Sequence, residues 1–482
     1  MPDLSILVLG GGLAGHLTVA ALASQMGEAC SLVHIDLTEP AEPERDALYG
    51  GHTSPQAYEF FRRIGLDEPA LITQTDTSFS YGTLFEDWPS PRRSWVQSYH
   101  LPFQPWQGVP FHHYLTRSGQ TLEACDVSAV AARRGVFAHP PEDARTPLSR
   151  AEYGYQFSAE QLVRLLAGLP LGETVNRQSG ALAEIDCNGD RIAAVQLQDG
   201  RQFEADLFID CTGLERHLSK ALNAPFEIEK TLHASQTKAS AVRGGRSARQ
   251  VRASESGWSA ELSLRNSVER LHVTSDPDSR ETEPGLRFQT GWLQTGWTGN
   301  CVAIGQAACL LEPLTPAPMI LLQRDIERML ELLPIDLDMG MERREYNRRS
   351  EQDRFHAHLF QQALFVTDSL PATEYWQQSA RAATGKALQR KLDLFASRGG
   401  LVQYDLEPFN TEDWTVLHYG MGRRPERFDP QLEAVSVAEI ERELQRFQSA
   451  IAQTVTKMPP HAIYLNKFRH YLEKKQDEPA QT

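Results

Sequence analysis

Three glycines in the run Gly10-Gly11-Gly12-Leu13-Ala14-Gly15 are spaced G-x-G-x-x-G, a spacing that lets backbone amides approach a phosphate. Gly10 permits a tight turn, Gly12 leaves room for a pyrophosphate, and Gly15 lets a helix pack closely on the preceding strand. Leu13 and Ala14, where the helix opens, complete this candidate cofactor-binding set. About twenty residues on, Asp36 offers a carboxylate that can accept hydrogen bonds from ribose hydroxyls. Two later apolar runs also end on glycine: DLFIDCTG closes at Gly213, and CVAIGQ closes at Gly305 and Gln306. Such a late return to the cofactor points, by fold analogy, to FAD.

These residues need particular elements to hold them. Residues 5–9 form a continuous apolar run suited to a central parallel strand, and residues 16–25 follow with a helical pattern. Residues 31–36 read as a second strand. Residues 191–210 alternate around Asp199-Gly200 as a hairpin and strand. Residues 301–304 read as another buried strand, with Gln306-Ala307-Ala308 opening a helix. The C-terminal part is helical. An amphipathic stretch at 343–361 carries Tyr346, Phe355 and Phe360. Ser436-Val437-Ala438-Glu439 reads as a capping box for a helix to about residue 457, stopped by Pro459-Pro460.

Bulk properties narrow the function classes. The 482 residues exceed one ordinary core, and 41% hydrophobic with 23% charged residues is a globular composition. A net charge of −15 argues against nucleic acid and against an anionic membrane surface. The basic run 243–252 is the local exception and reads as a solvated loop rather than a phosphate-binding arm. No segment has the apolar length of a membrane span and no secretory signal is evident, so a cytoplasmic location is expected. The six cysteines lack CxxC spacing, which suits buried thiols and leaves no metal site to propose.

Taken in order, several stretches resemble the flavin-dependent tryptophan halogenase family over nearly the whole chain. They are GGGLAG, HTSP (52–55), LFEDW (84–88), YHLPF (99–103), YGYQFSA (153–159), DLFIDCTG (206–213), GNCVAIGQAACLLEPL (299–314) and WTVLHYGMGRRP (414–425). The resemblance implies an α/β fold: an FAD-binding Rossmann-like, monooxygenase-type domain, an intercalated β-sheet substrate domain and a helical C-terminal part. The implied boundaries are 1–90, 153–225 and 288–335 for the FAD module, 91–152 and 226–287 for the substrate domain, and 336–482 for the helical part. It further implies reduced FAD supplied by a separate flavin reductase and an aromatic small-molecule or peptide substrate, and it is compatible with a homodimer.

The departures from the family pattern fall on its halide chemistry. Ser80 stands where the family keeps a lysine, and no lysine occurs before residue 216. Thr315-Pro316-Ala317-Pro318 replaces a Glu-Ser-Thr-Gly stretch, and each proline removes an N–H donor. Of the W-x-W-x-I-P signature only Trp258 remains. A neutral serine polarises a hypohalous oxygen far less well than an ammonium. The leading expectation is therefore a monooxygenase acting on an electron-rich aromatic or indole. Ser80, Tyr81 and His112 are its candidate catalytic residues, and His100, Phe103, Trp258 and Trp414 its candidate substrate pocket. Packing is the competing role for His112, with its neighbours His113 and Tyr114, and for each tryptophan. A halogenase with a variant site and a flavin-binding protein without turnover stay open as alternatives.

Overall fold

The computed structural model describes residues 4–38, 43–88, 90–99, 106–143, 145–172, 175–240, 245–276, 285–333, 339–367, 369, 371 and 373–477. The chain weaves between two compact units, Met1–Thr75, Phe157–Gln236 and Asp276–Phe355 in one, and Asp76–Gln156, Thr237–Ser275 and His356–Thr482 in the other.

In the first unit, Leu4–Leu9 takes the interior of a sheet because Ile6, Leu7, Val8 and Leu9 have no polar face to present to water; all four are fully buried. It pairs in parallel with Leu207–Asp210 on one side and Cys30–Leu37 on the other. Cys301–Ala303 extends the parallel set beyond Leu207–Asp210, and Val175–Gly180 extends it beyond Cys30–Leu37. Register does the rest. Leu9 lies beside Asp210, and Asp210 beside Ala303, so the glycine turns that follow these strands gather at one edge of the sheet. The helix Gly12–Met26 leaves the first turn, burying Leu13, Leu17 and Leu22.

The helix expected at Gln306 is not there. Gly305–Ala307 makes a single tight turn, and Cys309–Leu310 then pairs with Leu286–Leu293. The competing ladder captures the backbone that a helix would have used. The helix begins later, at Ala317, and runs to Glu331. Pro316 and Pro318 are tolerated there because first-turn amides have no intrahelical partner.

In the second unit the strands run Ser267–Thr274, Gly257–Ser263, Arg249–Ser254, Gly82–Glu86 and Ser94–Ser98, each bonded to the next. Half of the described part of the basic run, residues 249–252, is thus strand rather than loop. Arg249 and Val251 point inward, both fully buried, while Arg252 on the other face pairs with Glu86 at 2.7 Å. Trp88, Trp376, Phe365 and Phe85 form an aromatic core with centroid separations from 4.9 to 5.8 Å.

The helix Val437–Lys457 forms with Ser436 as N-cap, but the Ser436 side chain makes no capping bond. A complete capping box occurs instead at Asn410–Asp413, opening the helix Thr411–Gly420. In Gly340–Gln362, Tyr346 and Phe360 are buried while Phe355 is 48% exposed.

Candidate functional site

The edge of the parallel sheet opens into a cavity of about 510 Å³ lined by Gly10, Gly11, Gly12, Ala14, Asp36, Leu37, Arg45, Asp46, Tyr49, Glu160, Arg164, Thr212, Gly213 and Gln306, among others. Two glycines make the cradle possible. Gly10 has φ +113°, and a Cβ there would lie 2.4 Å from the Cys211 carbonyl oxygen. A Cβ on Gly15 would lie 1.9 Å from the Gly10 carbonyl oxygen, so helix and turn touch backbone to backbone. His34 meets the same Gly10 oxygen at 3.1 Å from its Nε2.

Opposite the glycines lies the short helix Pro43–Ala47 with the turn behind it. Gln306 donates from its Nε2 to the Arg45 carbonyl at 2.7 Å, and its amide donates to the Tyr49 hydroxyl at 3.2 Å. Arg45 reaches Glu215 at 3.1 Å. The Asp46 carboxylate accepts the Leu13 amide at 3.2 Å. Burial pushes the Asp46 carboxyl up to about 6, against the lowering effects of the Leu13 amide and Arg45. Burial also raises Asp36, with His34 opposing it. His16 is pushed down to about 4, first by burial and then by His34.

These residues fit a dinucleotide. The cavity lies within the roughly 300–1,000 Å³ range of small-molecule sites. Its helix N-terminus presents an amide that already holds an anionic group, the Asp46 carboxylate standing where a phosphate oxygen would. Of the sequence-predicted cofactor residues, Gly10, Gly12, Ala14, Asp36, Gly213 and Gln306 line the cavity, and Leu13 presents its amide to it. Gly15 and Gly305 act from behind as close-packing positions; a Cβ on Gly305 would lie 2.4 Å from the Tyr49 hydroxyl. Arg45, Asp46, Tyr49, Glu160 and Arg164 were not anticipated. They sit on elements of ordinary composition that only the fold brings to the cavity.

Two polar side chains of the segment after Gly305, Glu312 and Thr315, are engaged within the protein. Lys230 Nζ and Glu312 Oε1 form an ion pair at 2.6 Å with both side chains almost fully buried. The Thr315 hydroxyl accepts the Ala317 amide at 3.3 Å, and Pro316 and Pro318 offer none.

In the second unit, Ser80 is fully buried, and its hydroxyl donates to the Gly82 carbonyl at 2.9 Å while accepting the Gly82 amide at 3.2 Å. Tyr81 donates to the Ala138 carbonyl at 2.5 Å and packs on Phe137, and burial raises its phenol. Burial raises the Tyr99 phenol, against the lowering effects of the nearby Ser80 hydroxyl and Arg249 guanidinium. Burial lowers Arg249 to about 9, leaving it cationic at neutral pH, with its guanidinium 5.9 Å from the Trp258 ring.

Ser80 and Trp258 thus share one neighbourhood through Tyr99 and Arg249. His112 and Trp414 belong to another. His112 Nε2 meets the Gly399 carbonyl at 2.8 Å, and burial and His113 push it down to about 4. Trp414 packs edge-on against Phe360 at 5.1 Å and carries the Lys391 ammonium over its ring at 4.7 Å. Phe395 and His418 link the two: Phe395 lies 6.1 Å from His112 and stacks on His418 at 3.8 Å, and His418 lies 5.9 Å from Trp414. His100 and Phe103 lie outside the described residues.

A parallel sheet with its glycine turns gathered over one cavity defines a Rossmann-type dinucleotide-binding protein. The particular family follows from comparison. The sequence pattern of the tryptophan halogenase family matches residues 5–437, and the chain belongs to that family of flavin-dependent enzymes. Tryptophan 6-halogenase ThaL of Streptomyces albogriseolus is 23% identical over 443 residues, covering 82% of each chain. Tryptophan 7-halogenase RebH of Lentzea aerocolonigenes is 24% identical over 437 residues, covering 81% of each. Among solved structures, BrvH, a flavin-dependent halogenase from Brevundimonas sp. BAL3, superposes with a TM-score of 0.87 at 25% identity, covering 96% of this chain and 98% of that one. No helix among the described residues is long and apolar enough to cross a membrane.

Proposed function

We propose that this chain is an FAD-dependent monooxygenase that inserts oxygen into an electron-rich aromatic or indole, free or peptide-borne, using reduced FAD from a separate reductase and O2. The observation that carries this reading is Ser80. The position where the family resemblance expects an ammonium holds a neutral hydroxyl already committed to the Gly82 carbonyl. The chain around Thr315 points the same way, because its prolines and the Thr315–Ala317 bond leave few donors for a halide.

FAD, when bound and reduced, supplies the oxygen chemistry, and the protein supplies binding and orientation. In this reading Gly10, Gly12, Leu13 and Ala14 hold the pyrophosphate, Asp36 holds ribose, and Gly213, Gly305 and Gln306 shape the opposite wall. Tyr81 and His112 are positioning residues, since each is engaged with a backbone carbonyl. Ser80 and Trp258 form the wall of the aromatic site.

A second reading, halogenation, has its own supporting observation: Arg249 keeps a buried cation next to Tyr99, one residue removed from Ser80. Incubation with FAD, a flavin reductase, NADH, O2, bromide and an indole panel separates the two by mass spectrometry. A product gaining one oxygen is expected. A brominated product overturns the monooxygenase reading and makes Arg249→Met the next variant to assay.

A further inference from the structure

The Asp46 carboxylate lies on the anion-binding end of the helix Gly12–Met26. It accepts the Leu13 amide at 3.2 Å, and a Cβ built on Gly12 would find its two oxygens at 2.9 and 3.0 Å. A pyrophosphate approaching Gly12 and the helix N-terminus would need the same amide and the same space. We propose that Asp46 is a built-in competitor for the phosphate seat, so that a dinucleotide binds only as the short helix Pro43–Ala47 withdraws this carboxylate. The inference rests on the FAD reading of the cavity.

The surroundings make the competition electrostatic as well as steric. Asp36 and Glu160 line the same cavity as Asp46, opposed by Arg45 and Arg164. Arg45 is shared with Glu215 at 3.1 Å, which blunts its effect on an incoming phosphate. His16 and His34, on the helix and strand behind the glycines, are lowered by burial and uncharged at neutral pH, with Arg177 contributing to both. The Tyr49 phenol beside Asp46 is raised by burial and stays neutral. Asp46 is a group whose charge changes near neutrality, being pushed up to about 6 by burial. A protonated Asp46 repels a phosphate less and releases the Leu13 amide more readily, so affinity should fall as pH rises through about 6. The ionisation of Asp36, a ribose acceptor, would act with the opposite sign.

The test is titration of the full-length protein with oxidised FAD, and separately with ADP, from pH 5 to 8. For the wild type, Kd should rise by roughly tenfold over that range, for ADP as for FAD. Asp46→Asn, which keeps a side-chain oxygen for the Leu13 amide, should bind roughly tenfold more tightly at pH 7.5 and lose most of the pH dependence. Wild-type FAD binding that is flat or strengthens with pH overturns the proposal even if the variant does not fold. So does an Asp46→Asn protein that binds no tighter than the wild type. In both cases the FAD reading survives, whereas a wild type that binds neither ligand at any pH removes both.

Discussion

A methyl group on Gly15 would sit 1.9 Å from the Gly10 carbonyl oxygen, a backbone atom that cannot rotate away. Gly15→Ala must therefore push the helix Gly12–Met26 off its turn and distort the cavity. Overpacking of this kind costs about 1–3 kcal/mol or more. The expected outcome is a lowered melting temperature together with loss of FAD binding, read by flavin fluorescence. Gly385→Ala is the matched control, since nothing lies within 4 Å of its added methyl. Equal behaviour of the two variants would mean that the glycine cradle is not what holds the cofactor. The glycines and Asp36 were legible in the sequence because their spacing is local. Asp46 and Arg249 were not. Asp46 meets Leu13 across 33 positions, and Arg249 gained its burial only when residues 249–254 became a strand beside Gly82–Glu86.

At the scale of elements, the sequence shows where apolar runs lie and is weaker on which backbone partner wins. The turn at Gly305 leads into the short strand Cys309–Leu310, which pairs with Leu286–Leu293, rather than into a helix. The Ser436 box stayed open while Asn410 closed one. A capping pattern alone does not say whether the side chain finds its amides. Asp126 shows what a closed cap does. It accepts the Ser128 and Ala129 amides at 2.9 and 3.2 Å and the Ser98 hydroxyl as well, fixing the start of Val127–Arg134. Burial still pushes its carboxyl up to about 6, from an ordinary value of 3.8. Between those values the folded chain keeps a proton that the unfolded chain has released. Its contribution is thus fully present below about pH 4 and declines as pH rises through 6, by on the order of 3 kcal/mol. Asp126→Asn keeps an amide acceptor without the charge. Urea melts should show it at least as stable as wild type at pH 7.5, with a shallower decline between pH 4.5 and 7, whereas Asp126→Ala should lose about 1–2 kcal/mol. Parallel pH profiles for wild type and Asp126→Asn would remove the buried charge as the cause.

Over the whole molecule, the architecture class was readable because three glycine-ended runs recur in the order a doubly wound sheet requires. The alternation of the chain between discontinuous modules was implied by the family resemblance and not by composition. The crossings after Thr75, Gln156, Gln236, Ser275 and Phe355 fall where composition does not change, one within the strand Phe226–Ser240 and one within the helix Gly340–Gln362. This partition has a thermodynamic consequence. Every residue lining the candidate dinucleotide cavity belongs to the first unit, so the proposed FAD site would deliver its binding free energy there. A ligand at a hundredfold its Kd stabilises the state that binds it by about 2.7 kcal/mol. Hydrogen exchange under such conditions should slow most at Leu4–Leu9, Leu207–Asp210 and Cys301–Ala303, whose ends carry the glycine turns. Amides of the second-unit strands Gly257–Ser263 and Ser267–Thr274 should change less, unless the units unfold together, in which case the slowest amides of both should gain the same increment. Protection that grows with FAD only in the second unit would place the cofactor elsewhere and overturn the assignment of this cavity.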